Sequence, residues 1–454
     1  MVKLHIQTYD NRDYELSKQE LCHLDLLRKL AKPTISELIS EEFPNLLIFP
    51  QDLNTYGDKI GNSHIFEIKD NKRLVTGNIM GFIGHGSTNI SISSRFAKNS
   101  NDYFLHYMLQ KVFAINLFDL QFNTENESIF NFLIYLFPTF LKNALRQGIY
   151  REYRTRHYND ADVKGRIDIS RHVKQNLPFA GNIAYTTREY AQDNHLTQLI
   201  RHTIEYISNH TLSGNILCND DDTIDAVNAI CSSTSTYNPN QRQQIINQNL
   251  RSIHHPYYSE YIPLQQLCLQ ILQQEEMSYG NDDEEVYGIL FDGAWLWEEY
   301  LNTILSNLNF EHPRNRESKG RKYLFKDDKS IWCYPDFING EMVLDAKYKG
   351  YDSWKNIQKE DFYQLITYMH IFGLSQGGFI VPINNNLKTK MLNGNGGNIN
   401  IYGIDVEYQV ENFTDYCKLM SESEHELQER LKNDYMLRNP PNTRSNSGGS
   451  SRLR

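Results

Sequence analysis

Apolar and polar residues alternate with a period of two in Asn89-Ile90-Ser91-Ile92-Ser93, the signature of a strand with one buried face. With the glycines at 77, 81, 84 and 86 read as tight turns, residues 1 to about 96 become a succession of short strands. The period then changes. From 102 to about 147 apolar residues recur at helical spacing, first Phe104, Tyr107, Met108 and Val112, then Phe130, Leu133, Ile134, Phe137 and Leu141, which predicts two core helices. Residues 194 to about 278 read as mostly helical and glutamine-rich, with Asp220-Asp221-Asp222 as an exposed turn. In the last third, Trp297, Tyr300, Leu301 and Ile304 mark an amphipathic helix over 295–304. Two strand-like runs follow, one with Ile331, Trp332 and Tyr334 and one with Met342, Val343 and Leu344, joined across the turn Asn339-Gly340 as a β-hairpin. Residues 361–368 continue as a helix, and beyond Arg438 nothing apolar remains to be buried.

These shifts predict an α/β multidomain chain: a mixed α+β amino-terminal region over 1–190, a helical connecting region over 191–280, a carboxy-terminal α/β domain over 281–437 and a disordered tail over 438–454. No internal repeat appears. A length of 454 residues suffices for more than one core. The longest apolar run, Phe132 to Leu141, is interrupted by Pro138 and falls far short of the ~20 residues of a membrane span. Residues 1–15 mix charged and polar side chains and do not read as a secretory signal, so a cytoplasmic protein is expected. Six cysteines are scattered without a C-x-x-C pair, which gives neither a zinc site nor a disulfide framework, and His254 and His255 have no partners at ligand spacing. No phosphate-binding G-x-x-x-x-G-K-[ST] loop occurs.

A net charge of −10 excludes attraction to DNA by bulk charge. Two segments depart from it: 142–174 carries nine Lys/Arg against four Asp/Glu, and 311–322 five against two. Either could meet phosphates, or be neutralised by the chain's own acids.

The triplet (D/E)-x-K recurs by chance, as at Glu67-Lys69 and Asp162-Lys164, but Asp345-Ala346-Lys347 follows an apolar strand, so period two puts its acid and its base on one face. Pro335-Asp336 lies upstream on the other arm of the hairpin, which brings two carboxylates side by side. Such a pair repels unless a cation lies between, and a hard, oxygen-ligated ion such as Mg²⁺ suits it. Gln364 and Tyr368, at i and i+4, share the face of the helix that follows. Glu298 on the upstream helix is the candidate third carboxylate, with its neighbour Glu299 not separable from it by spacing.

In this order, helix-Glu, strand-PD, strand-DxK and helix-QxxxY, the chain resembles the PD-(D/E)xK nuclease superfamily with the Gln/Tyr variant of RecB-like enzymes. The words Asp345-Ala346-Lys347-Tyr348-Lys349 and Glu360-Asp361-Phe362-Tyr363-Gln364-Leu365 resemble McrC-like subunits of modification-dependent restriction systems. Gly81-Phe82-Ile83, Ser94-Arg95-Phe96 and Gly148-Ile149-Tyr150-Arg151-Glu152-Tyr153 look like the amino-terminal part of the LlaJI type. The resemblance implies a restriction-endonuclease-like carboxy-terminal domain that cuts double-stranded DNA with Mg²⁺. Asp336, Asp345 and Glu298 would be metal ligands, Lys347 would position water, Gln364 and Tyr368 would support the site, and Arg314, Arg316, Lys319, Arg321 and Lys322 would lie along the DNA backbone. It further implies that the amino-terminal region docks on a hexameric ring of a GTP-hydrolysing AAA+ McrB-like partner, with partner activation separable from catalysis. A middle section as long as 194–280 is not expected of a compact member. Two other readings remain open: a stand-alone RecB-like repair nuclease, and a non-catalytic subunit that activates an AAA+ NTPase.

Overall fold

A computed structural model describes residues 4–39, 46–50, 63–85, 88–98, 102–113, 125–209, 216–218, 220–251, 253, 255–277, 286–313, 320–351, 353–383, 387–394 and 396–436. The expected tail over 438–454, together with Gly86 and His254, lies outside them.

The alternating run forms the strand Thr88–Ser93, in which Ile90 and Ile92 are buried and the residues between them only half so. It belongs to a five-stranded sheet in the order Leu4–Tyr9, Thr88–Ser93, Ile79–His85, Val286–Asp292, Leu46–Phe49. The two outer pairs are parallel and the two inner pairs antiparallel. One face packs on Leu27, Leu30 and Ile35 from short helices.

Two sequence expectations change here. Gly81 and Gly84 lie inside the strand Ile79–His85 rather than in turns. Gly81 has φ +123°, and a Cβ there would come within 2.1 Å of the Ile289 carbonyl oxygen. The glycine therefore permits close approach of a strand about two hundred positions away. That strand, Val286–Asp292, sits between Ile79–His85 and Leu46–Phe49, so a fragment ending near residue 200 lacks a central member of its own sheet.

The helices Tyr103–Phe113 and Glu125–Arg146 form as the apolar spacing predicts. Helices His195–Asn209, Asp221–Ser233, Arg242–Gln248 and Tyr261–Met277 fill the middle section. Asp220-Asp221-Asp222 is a helix start rather than an exposed turn: the Asp220 carboxylate accepts from the Thr223 amide at 2.8 Å. Leu199, Ile230, Ile246 and Leu272 of this section share one buried core with Phe137, Trp297 and Leu431. The middle section is thus a wall of the main core.

A second five-stranded sheet runs Phe337–Ile338, Met342–Ala346, Gln376–Val381, Asn398–Gly403, Lys390–Met391. Its central pairs are parallel, and Phe337–Ile338 is antiparallel to Met342–Ala346. Met342, Leu344 and Ala346 point into the main core with the helices Gly293–Leu305 and Phe413–Met436, whereas Val343 faces Leu365 and Met369 of the helix Lys359–Phe372. Among the described residues no helix is long and apolar enough to cross a membrane.

Burial also predicts a pH effect. His202 is 4% exposed, its Nε2 has no hydrogen-bond partner among the described residues, and burial together with Arg242 and Arg201 lowers its pKa to about 4. The unfolded chain, with an ordinary imidazole, binds this proton first, so stability is full above about pH 6.5 and declines as pH falls toward 4. At 1.36 kcal/mol per unit the loss is at most about 3 kcal/mol. His202→Phe is expected to flatten the fall of urea-unfolding free energy between pH 7 and pH 4.5. An unchanged slope would assign the acid sensitivity elsewhere.

Candidate active site

The hairpin register sets the site. Phe337 pairs with Leu344, and one further step along the antiparallel ladder puts Asp336 opposite Asp345. One Asp336 carboxylate oxygen accepts from the Ala346 amide at 2.7 Å, which ties the acid to the neighbouring strand. Asp345 projects to the same face as Val343, and Lys347, one residue past the strand, keeps that parity while its amide donates to the Ile380 carbonyl at 2.9 Å. Lys347 Nζ lies 2.8 Å from Asp345 Oδ2 and 3.3 Å from Asp361 Oδ1. An ammonium therefore sits between two acids, one from the sheet and one from the first turn of the helix Lys359–Phe372. The Tyr351 hydroxyl donates to the other Asp361 oxygen at 3.4 Å.

Burial raises the Asp345 carboxyl above the usual range; Lys347 draws it back, and Asp361 pushes it up again. Burial alone would lower Lys347, but the charge of Asp345, with Asp336 and Asp361 around it, outweighs that and raises its pKa above that of an ordinary lysine. Lys347 is thus charged at neutral pH and can orient an oxygen or neutralise an anion, but cannot accept a proton. Tyr368 is raised by burial and by the nearby Cys333, Asp336 and Asp345, against a hydrogen bond from Gln364 Nε2 at 3.3 Å. The helix face carrying Gln364 and Tyr368 therefore looks onto the carboxylate pair.

Glu299, next to the sequence candidate, reaches toward this edge of the sheet. Its carboxylate is 3.9 Å from His312 Nε2, while His312 Nδ1 is 2.6 Å from the Asp336 carbonyl oxygen and the ring stacks on Phe337 at 4.7 Å. Glu298, the sequence candidate, is half-buried on the same helix. Asp361 entered the sequence reading only as part of the word Glu360–Leu365 and was given no role, since an acid in a first helical turn is what the helix dipole favours, and His312 stands alone. Among the described residues no three His, Cys, Asp or Glu side chains close a metal coordination group. The donors at hand are oxygens, and Asp345 Oδ2 is buried without an aligned hydrogen bond, with only the charge of Lys347 at contact distance. That donor chemistry suits a hard divalent cation.

Arg314, Arg316 and Lys319 lie outside the described residues. Arg321 lies over the Trp332 ring at 4.4 Å and donates to the Tyr334 hydroxyl at 3.1 Å, and Lys322 pairs with Glu311 at 2.7 Å. The strand expected through Ile331–Tyr334 is Trp332–Cys333, and it pairs with Lys322–Tyr323 instead of joining the Asp336 hairpin. In the other basic segment Arg154, Arg156 and Lys164 pair with Glu152, Glu189 and Asp162, so much of its charge is met within the chain.

Residues 74–382 match the family described as the McrBC 5-methylcytosine restriction system component. The chain belongs to this family. The McrBC match takes in Ser94-Arg95-Phe96 and Gly148–Tyr153 as well as Asp336, Asp345, Lys347, Gln364 and Tyr368. Among solved structures, a half-complex from a tetradecameric assembly of Thermococcus gammatolerans McrB AAA+ hexamers with bound McrC aligns at TM-score 0.47 and 14% identity, over 95% of this chain and 100% of the other. The cryo-EM structure of the Thermococcus gammatolerans McrBC complex aligns at TM-score 0.33 and 15% identity, over 66% and 87%. Comparison with curated proteins gives no match.

Proposed function

We propose that this McrBC-family chain is the McrC-like nuclease subunit of a restriction system, cutting double-stranded DNA with Mg²⁺ in concert with a GTP-hydrolysing AAA+ ring whose turnover it raises. The observation that carries the reading is the placement of Asp336 and Asp345 on adjacent strands with the Lys347 ammonium against Asp345. A purely architectural sheet gains nothing from holding two acids and a lysine at a half-buried edge, where each charge costs desolvation.

In this reading Asp336 and Asp345 would hold the cation with Glu298 as the further carboxylate, and Glu299, which His312 links to Asp336, is the alternative. Water or phosphate oxygens complete a shell that Mg²⁺ rarely takes from protein alone. The bound ion supplies Lewis-acid polarisation of the scissile phosphate and a lowered pKa for the attacking water. Lys347 orients that water and offsets negative charge as it develops on the phosphate, a role its retained proton suits. Gln364 donates to the Tyr368 hydroxyl one turn on, and the pair would support the site from the neighbouring helix. Arg321, anchored on Trp332 beside the hairpin, presents a fixed guanidinium to the DNA backbone.

The test is co-purification with a co-expressed McrB-like AAA+ NTPase from the same source, followed by incubation with methylated and unmethylated plasmid with and without Mg²⁺. Cleavage that requires both Mg²⁺ and the NTPase is expected, and comparison of Glu298→Gln with Glu299→Gln identifies the further carboxylate by the larger loss. An assembled complex that cuts neither plasmid would overturn the nuclease assignment, and cleavage by the chain alone would favour a stand-alone repair enzyme.

A further inference from the structure

Tyr348, directly after Lys347, does not face the carboxylates but is driven into the amino-terminal sheet. It is 4% exposed, its hydroxyl is 2.7 Å from the hydroxyl of Ser94 and donates to Met80 Sδ at 3.2 Å, and its ring meets Phe96 edge-on at 5.2 Å. The Arg95 guanidinium lies over the same ring at 4.9 Å. Arg95 is itself fixed: Nε donates to Asp10 Oδ2 at 2.8 Å, its backbone amide to the other Asp10 oxygen, and its terminal nitrogen to the Asn78 side-chain oxygen. Asp10 is fully buried, so the pair is shielded from water and salt.

The network continues to a second element of the site. The Asn78 side-chain amide donates to Asp292 Oδ1 at 3.3 Å, and that oxygen accepts from the Ala294 amide at 3.0 Å as the N-cap of the helix carrying Glu298 and Glu299. The Asn78 carbonyl accepts from the Gly293 amide at 2.8 Å. Gly293 also leaves room for Tyr348, since a Cβ there would come within 2.8 Å of Tyr348 Cε1. One guanidinium therefore touches both the start of the glutamate helix, through Asn78 and Asp292, and the end of the Asp345-Lys347 strand, through Tyr348.

We infer that Arg95, with Ser94 and Tyr348, is a positioning element of the nuclease site, setting the glutamate helix and Lys347 in register with one another from the amino-terminal sheet. The inference rests on the nuclease reading above. It gives Ser94-Arg95-Phe96 and the Tyr of Asp345-Ala346-Lys347-Tyr348 a single shared purpose, although about 250 residues separate them.

Three variants in the full chain, assembled with its AAA+ partner, test this. Arg95→Lys keeps a charge for Asp10 but loses the planar face over Tyr348 and the simultaneous reach to Asn78; Tyr348→Phe and Ser94→Ala remove only the hydroxyl contact. The expected result is a fall in cleavage kcat on the order of tenfold to a hundredfold for Arg95→Lys, the size of effect a displacement of about 1 Å produces. A smaller fall is expected for each hydroxyl variant, and a double hydroxyl variant should be no worse than the poorer single one. KM for DNA and stimulation of the partner's NTPase should stay at wild-type values, while the melting temperature falls with the buried contacts removed. If Arg95→Lys fails to fold, the hydroxyl pair alone decides. Folded variants with wild-type kcat, or a loss confined to KM or to melting temperature, would overturn the inference while leaving the nuclease reading intact. A wild-type complex that does not cut would instead sink that reading.

Discussion

Asp345→Asn is expected to abolish Mg²⁺-dependent cleavage while the protein stays folded. Asp345 is buried at 2% exposure with its pKa raised, so the charged carboxylate is a strained resident of the fold, and a neutral amide of the same shape relieves that cost. Lys347 retains Asp361 at 3.3 Å as its counter-charge, so no buried cation is left without an acid. Stability should therefore be unchanged or slightly higher. If Asp345 is a metal ligand as proposed, losing its oxygen opposite Asp336 would remove several kcal/mol of transition-state support, on the order of a thousandfold or more in rate at 1.36 kcal/mol per decade. Cleavage rate and melting temperature, measured on the same preparation, separate chemistry from folding. A variant that cuts near the wild-type rate would show that the carboxylate pair is not the reactive centre.

Lys347→Ala should also stop cleavage, but with the opposite structural signature. Removing the ammonium leaves Asp345 and Asp361 facing each other across a half-buried space, so the apo protein should lose stability and regain it with Mg²⁺. Turnover should fall on the order of a hundredfold to ten-thousandfold, the span associated with a positioned charged group in a transition state. Stimulation of the partner's NTPase should persist, because in the proposed reading this cluster would act only on a phosphodiester within a few ångströms of Lys347. The assay is NTPase rate and plasmid cleavage in parallel, with melting curves at zero and saturating Mg²⁺. Loss of stimulation in the folded variant would show that the two activities are joined through the nuclease site.

The placement of Asp336, Asp345 and Lys347 was legible because strand periodicity is local: an apolar triplet followed by D-A-K fixes which side chains share a face, and Asn339-Gly340 fixes the return. The face shared by Gln364 and Tyr368 was readable for the same reason. Long-range pairing was not. Gly81 looks like a turn glycine until the strand at Ile289 is known to lie against it, and nothing near Val286 announces that it completes a sheet begun at Leu4. Trp332 has a strand's composition, but composition does not choose between two available neighbours, and it pairs with Tyr323. Asp361 and His312 act through tertiary contact alone. Spacing could not separate Glu298 from Glu299, because adjacent glutamates on a helix differ only in the direction of the side chain.

The insertion of Val286–Asp292 into the middle of the first sheet also orders events on the ribosome. Once Ser93 has emerged, the strand Ile79–His85 keeps one hydrogen-bonding edge open until residue 292 is made. At ~5–20 residues per second those roughly two hundred residues take on the order of ten to forty seconds. An open strand edge over that interval is a template for pairing with other nascent chains until residues 286–292 fill it. The same delay means that the first sheet closes only as the helix bearing Glu298 and Glu299 begins to emerge, so a chain terminated before residue 286 carries an unfinished first sheet and lacks Asp336, Asp345 and Lys347.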